Sequence, residues 1–401
     1  MKKPPGIPVV MYHGVGPDHP GFPWNHLMTP AGLFEGQMRL LREKGWTTIS
    51  LDELHAHMAT GAAVPDKPVV LTFDDGYRDN RTCAYPILKK YGHCAVIWMS
   101  TDFVDPRGDL PPTLDDVWAG RLAVRDLDRE GYLSWAEMRE MTASGHIEIQ
   151  SHAKTHTWYF SGPRIVDFHR PAGVDRYRVP QWLIWNHFPD RKYASMDGAM
   201  ADRISYGTPI YEHEKSLITR RYFEDRNLTE RLVQTVAAGG GAAFFGRPGW
   251  RERLLAAADA FGPRNDRTET EDEYRARVKA ELVESREKIE AGVGRAVQFL
   301  CWPGGGRSAL TRRLAVEAGY VATTTRYEDR RFKNVFGEDP HCISRIGSGS
   351  QQLLGGVMCR RTDPAFFIAG LDDFIGRPFS GLRLRLYKLK YLLRYLIFRA
   401  T

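Results

Sequence analysis

The chain is poor in cysteine. Five are scattered over 401 residues (Cys83, Cys94, Cys301, Cys342 and Cys359), with no close pair and no CxxC spacing. An odd, scattered set excludes a disulfide framework and fits a reducing compartment. Long apolar runs are also lacking. The opening stretch "MKKPPGIPVVMYHGV" holds two lysines but no extended hydrophobic region, so neither a signal peptide nor a membrane span is expected there. A cytoplasmic protein is the expectation. Acidic residues are missing from residues 377–401, which hold seven Lys or Arg. The formal net charge of the whole chain is +7, so the rest sums to zero. A globally basic surface is therefore not indicated, and no nucleic-acid partner is expected.

What is present is an alternating rhythm. "IPVVMYH" and "VVLTF" read as strands, and "TPAGLFEGQMRLLREKGW" has helical spacing at Phe34, Met38 and Leu41 with Gly45 as its stop. Helical "YPILKKYG", strand "CAVIWMS", helical "SWAEMREMTASG" and strand "HIEIQSH" follow. The rhythm returns near the end with "AVQFLCWPGGG", "ALTRRLAVEAGY", "VATTT" and "CISRI". Such alternation with short glycine-bearing joints predicts a parallel sheet or barrel. Residues 158–272 differ: they are rich in Trp, Tyr and Phe and contain "AAGGGAAFFG". That apolar content marks a packed insertion rather than a linker. Its aromatics serve either as its own core or as a wall on which a sugar stacks.

Two strand ends carry the chemistry. "VVLTFDDGYRDN" ends an apolar strand in adjacent aspartates, Asp74 and Asp75. The carboxylates repel each other unless a cation lies beside them, although Asp-Gly alone also makes an ordinary turn. The strand "HIEIQ" ends in "SHAKTH", with His152 and His156 four residues apart. If parallel strands bring both ends to one rim, an aspartate and two imidazoles face one point. That set, with positions left for water, suits an open catalytic metal site, and the second carboxylate is free to accept a proton.

"LTFDDGY" followed by "SHAKTH" resembles the polysaccharide deacetylases, the NodB-homology or carbohydrate esterase family 4 group. "PVVMYHGV", "TCAYPILKKYG" and "FLCWPGGG" with "AVEAGYVATTT" are similar to that family as well. The resemblance implies an α/β fold: a distorted (β/α)7-type barrel with a large insertion between the second and third motifs. The expected divisions are 1–157 and 273–370 for the barrel, 158–272 for the insertion and 371–401 for a basic amphipathic helical tail. The resemblance also implies Asp74 as general base and Asp75, His152 and His156 as metal ligands. Gly304 would offer a backbone N–H to the oxyanion, and Trp302, Pro303 and Gly305 would line the acetyl pocket. The cofactor is a divalent metal, with zinc expected from the mixed carboxylate and imidazole set, although other divalent ions bind such sets.

The chain departs from the family in two places. Cys301 stands where many members have an Arg that orients the base, and Arg345 in "CISRI" is the candidate replacement. The terminal Leu-x-His motif, whose His protonates the departing amine, is not found; His341 is out of register, and His13 at the end of the first strand is the alternative. The acid therefore stays open, and a weakly active sugar-lipid-binding or scaffolding protein, or a hydrolase of a small non-sugar amide, is the alternative to an N-deacetylase. In the tail, Leu382, Leu386, Leu389, Leu393 and Leu396 form one helical stripe. Arg383, Lys390 and Arg394 flank one side of it, and Arg385, Lys388 and Arg399 lie towards the other. This suits a helix lying on an anionic membrane surface, with packing on the barrel or a partner subunit as the alternative. An N-acetylated sugar on a polyprenyl carrier, met at the inner membrane face, is the expected substrate.

Overall fold

The computed structural model describes residues 6–16, 25–194, 198–325, 333–348, 351–354, 357–360 and 363–400. Two compact units are present: residues 1–154, 284–305 and 319–401 form one, and residues 155–283 with 306–318 form the other.

The first unit is built on a parallel sheet. Its strands are β1 (Val9–Tyr12), β2 (Pro68–Phe73), β3 (Ala95–Met99), β4 (Ile147–Ser151), β5 (Phe299–Leu300), β6 (Ala322–Thr324), β7 (Cys342–Ile343) and β8 (Ile346–Gly347). Their spatial order is β7-β6-β5-β4-β3-β2-β1-β8, and the short strand Thr47–Thr48 pairs with β2 off this path. β7 and β8 lie at opposite ends of that order, yet Ser344 and Arg345 alone separate them in sequence. The sheet must therefore curl until its ends meet, and β7 with β8 makes a seventh strand position split at Ser344–Arg345. This matches the seven positions of a distorted (β/α)7-type barrel.

Inside the curl, alternate residues of each strand share one core: Val9, Val70, Val96, Trp98, Phe299, Cys301, Ala322 and Ile343. The two-residue alternation of Val96 with Trp98, and of Phe299 with Cys301, puts these side chains on one face. Two buried amides fasten the short strands. Gln150 Oε1 accepts the N–H groups of Gln298 and Phe299, each at 2.9 Å, and so aligns β5 beside β4. Asn334 Nδ2 donates to the carbonyls of Ile7 (2.8 Å) and Ser344 (2.9 Å), while its Oδ1 accepts the Ser344 N–H at 2.8 Å. That latch draws the β7 end to the start of β1.

α1 (Ala31–Glu43) buries Phe34, Met38 and Leu41. α2 (Leu51–Thr60) begins with a Ser50–Glu53 capping box and stops at Gly61. The chain closes with α3 (Ala365–Phe374) and α4 (Ser380–Ala400). The side chains of residues 394–400, Arg394, Leu396 and Arg399 among them, lie outside the described part.

The second unit holds an antiparallel pair, Trp158–Phe168 with Pro209–Lys215, and helices Arg226–Ala238 and Trp250–Asp259. Phe168, Leu228, Leu232, Phe244, Phe245 and Trp250 make its core. Many of its aromatics thus hold the unit together. Trp158 and Phe160 stay partly buried, and Trp158, Trp182 and His213 cluster with ring centroids 4.5–5.7 Å apart.

Candidate active site

The aspartate pair sits where β2 ends. The Asp74 N–H donates to the Tyr12 carbonyl at 3.0 Å, extending the β1–β2 ladder one residue past Phe73. The backbone then reverses through Asp75 at φ 76° and Gly76 at φ 75°. A Cβ on Gly76 would collide with Met99 Sδ, so both backbone and space require glycine. The reversal gives two adjacent carboxylates different neighbours.

Asp74 is buried, and its Oδ1 accepts a hydrogen bond from Arg345 Nη1 at 2.6 Å. Its Oδ2 lies 3.9 Å from His13 Nε2 and 3.9 Å from Cys301 Sγ. Burial alone would push the carboxyl up. Arg345, His13 and His152 outweigh that, and Asp74 is held below the ordinary carboxylate range. It is therefore an ionised acceptor at neutral pH, fixed from one side by a buried guanidinium.

Asp75 faces an imidazole instead. Its Oδ1 lies 3.3 Å from His152 Nε2, and the Tyr77 hydroxyl donates to the same carboxylate. His152 Nδ1 donates to the Cys301 carbonyl at 2.9 Å, which fixes the ring and its tautomer. A neutral His152 then presents its Nε2 lone pair to the Asp75 carboxylate. Two electron-rich groups at this distance call for a positive species. Burial lowers the His152 pKa, but Cys301, Asp75 and Asp74 together raise it well above the ordinary histidine range. The donor set therefore attracts positive charge, and a carboxylate with a carbonyl-oriented imidazole fits a divalent cation.

The other expected residues are placed as follows. His156, four residues beyond His152, belongs to the second unit and stands at φ 39°. Trp302 and Pro303 are buried, Gly304 is exposed at φ 54°, and Gly305 stands at φ 71°. The Trp302 N–H donates to Thr324 Oγ1 at 3.2 Å, and the Gly305 N–H closes the turn on the Trp302 carbonyl. Gly305 thus spends its donor inside the loop, whereas Gly304 lies open. His341 bonds the Val321 carbonyl and neighbours His55, away from Asp74's partners.

Three contributors take roles that the sequence reading did not assign them. Cys301, read there as a substitute for arginine, supplies its carbonyl to His152 while its thiol meets Asp74. Tyr77 bonds Asp75, and Asn80 Nδ2 donates to the His13 carbonyl at 2.8 Å. The signal for the last two was their place in "DDGYRDN".

Comparison with known proteins agrees with this geometry. Residues 61–174 match the family profile described as polysaccharide deacetylase. YxkH of Bacillus subtilis (strain 168), named after the polysaccharide deacetylases, is 30% identical over 155 residues, covering 39% of this chain and 45% of that protein. The poly-beta-1,6-N-acetyl-D-glucosamine N-deacetylase of Escherichia coli (strain K12) is 33% identical over 122 residues, 30% of this chain and 16% of that protein. The chain thus spans less than half the length of these curated relatives. A solved de-N-acetylase from Aggregatibacter actinomycetemcomitans shares the fold, with a TM-score of 0.50 at 18% identity over 85% of this chain and 94% of that one. Residues 61–174 thus resemble the polysaccharide deacetylases in sequence, and the chain shares its fold with a solved de-N-acetylase.

Proposed function

We propose that this protein is a metal-dependent hydrolase that removes the acetyl group from an N-acetylated amino sugar, releasing acetate and a free amine. The observation that carries this reading is the buried Asp74 carboxylate, clamped by Arg345 at 2.6 Å beside the Asp75–His152 pair. Asp75, His152 and His156 are the residues we assign to the ion, with zinc as the ion expected. When bound, such an ion supplies Lewis acidity that lowers the pKa of a water and polarises a carbonyl.

The chain's own groups do the rest. Asp74, ionised and oriented by Arg345, accepts the proton of the attacking water. The exposed Gly304 offers its N–H to the developing oxyanion, and Trp302 and Pro303 back the acetyl methyl. His13, close to Asp74 and partly exposed, delivers a proton to the departing amine. The named relative from Escherichia coli acts on an N-acetylglucosamine polymer, which supports an amino-sugar substrate here. The finer reading is a polyprenyl-linked saccharide met at the cytoplasmic membrane face. It is supported by the cationic segment 377–401 and by the free thiols of Cys83, Cys94, Cys301 and Cys342.

The test is acetate release from N-acetylhexosamines, free and polyprenyl-phosphate-linked, with zinc or with chelator. Metal-dependent release, reduced about 10²–10⁴-fold in Asp74→Asn, is expected. No release from a protein shown to hold its metal would replace the enzyme with a sugar-lipid-binding protein of the same fold.

A further inference from the structure

The last helix is attached by one face and bare on the other. Phe366 of α3 packs against Tyr387 and Tyr391 of α4, with ring centroids 6.0 and 6.4 Å apart. The Tyr391 hydroxyl accepts the Asp363 N–H at 3.0 Å. Arg383 and Lys390 reach back to Asp372 and Asp363 at 3.7 and 3.8 Å. α3 is itself joined to the barrel, with Phe367 6.3 Å from the Tyr12 ring in β1. The helix is therefore seated on the unit that holds Asp74, and its orientation is set.

The opposite face is apolar and uncovered. Leu382 and Leu386 are each 59% exposed, and Leu389 and Leu393 each 51%. At roughly 100° per residue these four fall within an arc of about 60°, on the far side of the helix from Tyr387 and Tyr391. Four aligned leucines left half-exposed are an apolar patch that calls for an occupant. Arg383 and Lys390 border the stripe on one side, and Arg385 and Lys388 on the other.

We propose that α4 docks this protein onto an anionic lipid bilayer, with Leu382, Leu386, Leu389 and Leu393 entering the interface and the flanking Arg385 and Lys388 reaching the headgroups. Charge complementarity selects this occupant. A second copy of the helix would set cationic margins against cationic margins, because residues 377–401 contain no Asp or Glu. A bilayer rich in phosphatidylglycerol accepts the apolar stripe and the cations at once, since long basic side chains bend their charges towards the surface. Among the described residues no helix is long and apolar enough to cross a membrane, so the contact is made in the interface plane. The inference supplies a partner for the deacetylase reading but needs none of its chemistry.

The experiment is sedimentation of the full-length protein with vesicles of phosphatidylcholine alone or mixed with phosphatidylglycerol, at low and high salt, without any sugar. Binding to the anionic vesicles should exceed binding to the neutral ones and weaken as salt rises. Arg385→Gln with Lys388→Gln should weaken anionic binding by about tenfold or more. Leu386→Gln with Leu389→Gln should also lose binding; its circular dichroism should match the parent, because the replaced side chains are exposed. Equal binding to both vesicle types, or none to either, overturns the proposal. So does a leucine variant that turns a dimer into a monomer while vesicle binding is unchanged, which would assign the stripe to self-association. Loss of catalysis in Asp74→Asn with vesicle binding intact would separate the two readings.

Discussion

Arg345 Nη1 lies 2.6 Å from Asp74 Oδ1, joining residues 271 positions apart in the sequence. The guanidinium enters from the split between β7 and β8, and Cys301 occupies the neighbouring position on β5's end. The turn between β7 and β8 thus supplies the buried guanidinium beside Asp74, and β5's end supplies a thiol.

Removing that guanidinium leaves a buried carboxylate unpaired. Arg345→Met should cost about 3–5 kcal/mol of stability, read by denaturant unfolding at neutral pH. The folded-state pKa of Asp74 lies below its unfolded value. The pair therefore stabilises above that unfolded value, near 3.9, and the contribution is lost as pH falls through the folded one. In Arg345→Met the Asp74 pKa rises, so the acid limb of the pH–kcat profile should move to higher pH. A limb that does not move would detach Asp74 from the base role.

Metal retention and catalysis should separate by residue. Chelation should abolish acetate release, and re-addition of zinc should restore it. His152→Ala should lose metal and activity together, since a carboxylate–imidazole pair is broken. Asp74→Asn should keep its metal, measured by elemental analysis, and lose turnover. Equal metal loss in both variants would make Asp74 a ligand.

The Asn334 latch should act at a distance. Asn334→Ala removes three hydrogen bonds and strands buried groups on Ile7 and Ser344, each worth about 1–3 kcal/mol. A fall of several degrees in Tm is expected, together with a drop in kcat, because Ser344 directly precedes Arg345. Unchanged kcat in a destabilised variant would show that Arg345 holds its place without the latch.

Glu148 makes the pH dependence of stability testable. Burial lifts its pKa to about 7, against hydrogen bonds from Gln150 and the Leu51 backbone that lower it. The folded state thus keeps a proton that the unfolded chain releases near pH 4.3. Stability from this group is full below that value and is lost as pH rises to about 7. Glu148→Gln, neutral throughout, should gain Tm over the parent across that window and hold a constant gain above it.

The sequence by itself determined what short-range rules govern. Apolar strand runs were legible in "VVLTF" and "HIEIQ", and a helix stop was legible at Gly45. The neighbouring groups Asp74, Asp75 and His152 were legible because each ends such a strand. So was the leucine stripe of residues 382–393, since a helix repeats every 3.6 residues whatever lies around it. The tertiary structure alone decided which charge stabilises Asp74, that Cys301 sets the His152 tautomer through its carbonyl, and that His13 stands beside Asp74 while His341 bonds elsewhere. It also decided which face of the last helix is bare. These facts depend on sheet curvature and on contacts between residues tens to hundreds of positions apart, and closing such loops leaves no local pattern in a single chain.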